Sequence, residues 1–70
     1  MSRSEILNQI SILENSIRNM EAKIRIIQER IDEAPRQSTS VSERWVNELR
    51  NLRYNLQDEK RKLSEYRNML

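Results

Sequence analysis

The chain contains no cysteine, no histidine and no glycine, and its one proline is Pro35. Without Cys there is no disulfide, and without Cys or His there is no ordinary zinc site. A chain free of Gly has few tight turns and no loop that could cradle a phosphate. Long apolar runs are missing too. The longest are pairs such as Ile6-Leu7 and Ile26-Ile27, too short for a membrane span or the apolar region of a signal peptide. The expectation is a soluble, cytoplasmic protein, or one exported by a route that uses no such signal. The lack of Cys fits a reducing compartment.

Seventy residues allow one domain. A domain of this size buries little core, and with metals and disulfides excluded it depends on very regular helix packing or on assembly. Composition agrees, being rich in Ile, Leu, Glu, Arg, Asn and Ser, as long helices are. Net charge is +2 and unevenly spread. Residues 1–34 carry five basic against six acidic groups, a balance of −1; residues 35–70 carry eight against five, a balance of +3. The basic excess invites a nucleic-acid reading.

The pattern of apolar residues predicts two helices. Ser2 and Glu5 stand at capping-box spacing, with Ser4 as a competing cap. Apolar residues then recur at alternating steps of four and three: Ile6, Ile10, Leu13, Ile17, Met20, Ile24, Ile27, Ile31, Ala34. A period of about 3.5 residues held over this length is a coiled-coil signal. Pro35 ends the series by disfavouring helical geometry before it and removing a donor. A polar connection follows, and Ser40 with Glu43 restarts a helix. The second series is Trp45, Leu49, Leu52, Leu56, Glu59, Leu63, Tyr66, Leu70. The predicted domain is therefore 1–70, with helix 1 at about 4–34, a turn at about 35–40 and helix 2 at about 41–70.

Equal helices joined by a short turn lie antiparallel. Folding the chain about Ser38 tests the register. It pairs Ile31 with Trp45, Ile27 with Leu49, Ile24 with Leu52 and Met20 with Leu56. It continues as Ile17 with Glu59, Leu13 with Leu63, Ile10 with Tyr66 and Ile6 with Leu70, while Ala34 meets Ser42 beside the turn. One centre serves the whole length, and the fold class expected is an all-α, antiparallel two-helix coiled-coil hairpin, with dimerisation into a four-helix bundle as a further expectation. On one flank, Leu7, Glu14, Glu21 and Gln28 of helix 1 run beside Val46, Arg53, Lys60 and Arg67 of helix 2. The pairs expected there are Glu14 with Lys60 and Glu21 with Arg53, and on the other flank Arg30 with Glu48. Such exposed pairs add about 0.2–1 kcal/mol each and help to fix orientation.

No catalytic constellation emerges. There is no His or Cys to act as base or nucleophile, and a two-helix hairpin has no enclosed cleft in which to perturb a carboxylate or lysine. The expectation is a non-enzymatic protein with no cofactor, no metal and no small-molecule substrate. Glu29, Asp32 and Glu33 read as a solvated charged face rather than a cation site. Glu59 is the one polar residue in the predicted seam. The simplest expectation is that it bends toward Lys60 or Lys62 and leaves the interface. The alternatives are a polar layer that penalises wrong registers, or a carboxylate that meets a polar group of another subunit. Trp45 is expected to close the end of the core beside the turn, with a role as a partner anchor as the alternative.

Two outer faces invite partners. Ile12 and Ile26 lie off the seam on one face of helix 1, and Leu7, Val46, Val41 and Met69 add apolar surface toward the ends. This face predicts a protein–protein interaction module: an assembly or secretion chaperone, a scaffold subunit or an inhibitor of a larger complex, partnered by another helical protein or by itself as a homodimer. Arg44, Arg50, Tyr54 and Arg61 on helix 2 make up the alternative, a nucleic-acid face of a dimeric hairpin. Interleaved acids such as Glu43, Glu48, Asp58 and Glu65 dilute its charge, so nucleic acid is the less favoured partner.

Overall fold

Ser2 sets where the first helix begins. Its hydroxyl oxygen accepts from the Glu5 backbone N–H at 3.2 Å, and its carbonyl accepts from the Ile6 N–H at 3.0 Å. Ser2, not Ser4, is thus the cap, and Glu5 supplies negative charge to the first turn. In the computed structural model the helix that follows, α1, spans Arg3–Glu33 and the second, α2, spans Thr39–Asn68. The described residues are 1–33 and 39–70, the side chains of 39–42 excepted. The stop at Pro35, the Ala34–Ser42 layer, the connecting residues 34–38 and the side chains of Ser40 and Val41 lie outside the described residues; the helix already includes Thr39, so Ser40 stands within α2 and not before it. Helix α2 starts at Thr39, slightly earlier than its apolar series requires.

The two helices pack side by side in opposite directions and form an all-α hairpin, a rod of 52 × 14 × 12 Å. Its interior is a single line of side chains. Ile6, Ile10, Ile17 and Leu63 form the main buried cluster, with Leu13, Leu56 and Tyr66 packed half-buried against it. Nearer the turn Ile27 and Leu49, a facing pair of the predicted register, are buried, whereas Met20, Ile24, Ile31, Trp45 and Leu52 are half-buried. Each fully buried Ile or Leu contributes about 1.5–3 kcal/mol.

Leu70 departs from the expected seam. It is 58% exposed instead of covering Ile6. The helix ends at Asn68, and the Met69 and Leu70 N–H groups turn back to the carbonyls of Tyr66 and Arg67, at 3.1 and 3.2 Å. That tightening of the last turn carries Leu70 off the heptad position. Ile6 is nonetheless buried within the cluster that Tyr66 packs against.

Candidate functional site

The hollows lined by the described residues are shallow and open, and the candidate sites are the surfaces of the rod. The first is the flank where the helices are tied together. Arg67 Nη2 donates to Glu14 Oε1 at 3.1 Å, and Arg18 approaches the other Glu14 oxygen at 3.9 Å. Further along, Arg53 Nη2 donates to Gln28 Oε1 at 3.4 Å, and Gln28 Nε2 donates to Asp32 at 3.1 Å. These are not the expected pairs. Glu14 meets Arg67 rather than Lys60, and Arg53 meets Gln28 rather than Glu21; each link is displaced by one heptad. The cause is the lean of helical side chains toward their own N-terminus. In antiparallel helices the two sets lean in opposite directions. Glu14 and Lys60 start at nearly the same level and diverge, whereas Glu14 and Arg67 start on different levels and converge. Arg30 and Glu48, the pair expected on the other flank, are both exposed and make no ion pair with each other.

Glu59 does not leave the seam as expected. Neither Lys60 nor Lys62 pairs with it, and its Oε2 is shut off from solvent with no hydrogen-bond partner. Asp58 takes its place. Arg61 reaches Asp58 Oδ1 at 2.6 Å and Lys62 reaches Oδ2 at 3.4 Å. From Arg61 and Lys62, Asp58 lies three and four residues back on the open side of α2, the spacing at which helix neighbours meet. The solvent-side acid captures the bases, and Glu59 remains against the apolar seam as a half-buried polar layer.

On α2 the candidate nucleic-acid residues Arg44, Arg50 and Arg61 are exposed, and Tyr54 is 75% exposed. Tyr54, Gln57, Asp58 and Arg61 line a shallow open depression. The carboxylate in its floor and the short Asp58–Arg61 contact offset the positive charge there.

The outer face of α1 is different. Ile12 is 52% and Ile26 48% exposed, with exposed Asn19 and Lys23 and half-buried Ser16 between them. Neither isoleucine belongs to the buried cluster. Leu7, Val46 and Met69 are exposed as well, toward the ends of the rod. Met69 also borders a shallow hollow with Met1, Lys62, Glu65 and Tyr66. Trp45 is half-buried, between the closing role and the anchoring role that its position allows. Among the described residues no helix is long and apolar enough to cross a membrane.

No protein-family model matches this chain, and neither the curated proteins nor the solved structures hold a match.

Proposed function

We propose that this chain is a non-enzymatic protein–protein interaction module, a helical hairpin that docks on other helices as an assembly or secretion chaperone, a scaffold subunit or an inhibitor of a larger complex. The observation that supports it is the pair of half-exposed isoleucines, Ile12 and Ile26, on a helix face that the hairpin does not use. Helix faces that present apolar residues at whole-turn spacings dock on the grooves of other helices. Cross-helix contacts at Glu14–Arg67 and Gln28–Arg53 run along one flank of the hairpin and leave the outer face of α1 clear. A cytoplasmic location accompanies this reading and accords with a chain that carries no Cys.

The test is capture from the native host with the wild-type chain and with Ile12→Glu/Ile26→Glu. The expected result is a helical protein, or the chain's own copies, recovered by the wild type and lost with the double variant. Equal recovery by both removes this face from the function. For the nucleic-acid alternative, binding to mixed duplex or single-stranded DNA is expected to be weak and to vanish near physiological salt. Submicromolar binding at that salt, weakened by Arg50→Ala, would replace the present reading.

A further inference from the structure

Deepening that interaction role, we infer that the flank carrying the cross-helix contacts is a docking groove for an acidic helix of another protein. The displaced contacts leave this flank basic. Pairing at equal levels would set Glu14 on Lys60 and Glu21 on Arg53 and cancel the charge at mid-length. Instead Arg67 engages Glu14 toward the open end, with Arg18 sharing it, and Arg53 meets a neutral amide, Gln28. Arg25, Arg50 and Lys60 are exposed and form no ion pair among the described residues. Arg25 stands one heptad beyond Arg18 on α1. On α2, Lys60 stands one heptad beyond Arg53 and Arg50 one turn before it. Arg18, Arg25, Arg50, Arg53 and Lys60 therefore line both sides of one groove. In the register that sets Ile27 against Leu49 they occupy about 15 Å of its length. Glu21 is the one acid among them within the described residues, and Asp32 and Glu43 bound the stretch toward the turn.

Charge complementarity names the occupant, and the ends of the groove shape it. Leu7 stands one heptad before Glu14, and Val46 one heptad before Arg53; both are exposed. They bound the groove at its two ends, about 35 Å apart. A helix with Asp or Glu at every third or fourth position in its middle, and an apolar residue near each end, matches this pattern. The charges would steer and orient it, and the apolar ends would exclude water. The bases are mostly guanidinium groups, which take carboxylates in a two-pronged geometry. A phosphate backbone would use the charge but not Leu7 or Val46. Tyr54, the exposed aromatic of α2, borders the depression with Asp58 and Arg61 instead.

The probe is a fluorescein-labelled, alanine-based helical peptide of about 27 residues, with a Glu face at mid-length and a Leu near each end. Anisotropy titration at low salt is expected to give a dissociation constant between about 1 µM and about 100 µM. The same peptide with Gln in place of Glu is expected to bind about tenfold more weakly. Arg25→Glu/Lys60→Glu is expected to weaken binding about tenfold. Arg30→Glu/Arg44→Glu, the same change of charge on the other flank, is expected to change it less than about twofold. Leu7→Ser/Val46→Ser is expected to weaken it about three- to tenfold. Circular dichroism verifies that each variant keeps its helices. A Glu peptide that binds no better than its Gln version would overturn the inference. Equal losses from the two charge reversals would mean a response to net charge alone and overturn the groove. Undiminished binding by Leu7→Ser/Val46→Ser would overturn a helix as the occupant. Single-stranded or duplex DNA bound more tightly than the peptide, through the same Arg25 and Lys60, would put nucleic acid in its place. None of these substitutions touches Ile12 or Ile26, so this groove and capture through the outer face of α1 fail independently.

Discussion

The two halves of the seam are both lined mainly by isoleucine and leucine and differ in how far these are buried. The half far from the turn holds the buried cluster of Ile6, Ile10, Ile17 and Leu63. Among the described residues the half beside the turn buries Ile27 and Leu49, and leaves Ile24, Ile31, Leu52 and Trp45 half open. The better-packed half is also the one that contains Glu59. The polar layer therefore does not prevent burial of the apolar residues around it. In a two-stranded seam solvent lies on both sides of every layer. The Arg67–Glu14 link ties the flank at the same end.

This contrast can be broken most directly by truncation. Ile10→Ala is expected to cost about 2–5 kcal/mol, enough to unfold a hairpin of this size, while Ile31→Ala costs about 1–2 kcal/mol because its side chain is only half covered. Thermal and urea unfolding followed by circular dichroism would measure both, and equal losses would mean that the turn-side half is packed as tightly. Glu59→Leu comes next in size. It removes an unpartnered buried oxygen and adds apolar surface to the better half, and is expected to stabilise by about 1–2 kcal/mol. A loss of stability would show that the carboxylate has a partner in solution, and a loss of a defined assembly state would mark Glu59 as a register device. The smallest effect concerns the flank. Arg67→Ala is expected to destabilise by about 0.2–1 kcal/mol and Lys60→Ala by less, with the difference shrinking at high salt. The opposite order would restore Lys60 as the partner of Glu14.

The α1 start, the line of the seam and the antiparallel direction were legible in the residues. Ser2 with Glu5 and the isoleucine series from Ile10 to Ile31 depend on helix period and capping chemistry, which are local properties of the chain. The outer isoleucines Ile12 and Ile26 were legible for the same reason, since a helix face follows from spacing alone. What covers that face is a question of a second surface, and no periodicity within one chain answers it.

Only the tertiary structure decided which charges meet, where Glu59 goes and that Leu70 leaves the seam. Spacing placed Glu14 level with Lys60, but the opposed lean of side chains on antiparallel helices brought it to Arg67 instead. Glu59 had two lysines near it in the chain, yet Asp58 took Lys62 on the open side and left one Glu59 oxygen sealed and unpaired. Leu70 kept the heptad count but not the helix, because the last turn tightened before reaching it. The sequence by itself determined the apolar stripes and thus the hairpin, because burial follows from period. The cross-helix contacts of Glu14 with Arg67 and Gln28 with Arg53 depend on the direction and reach of long side chains on two helices, and these exist only once the helices have packed.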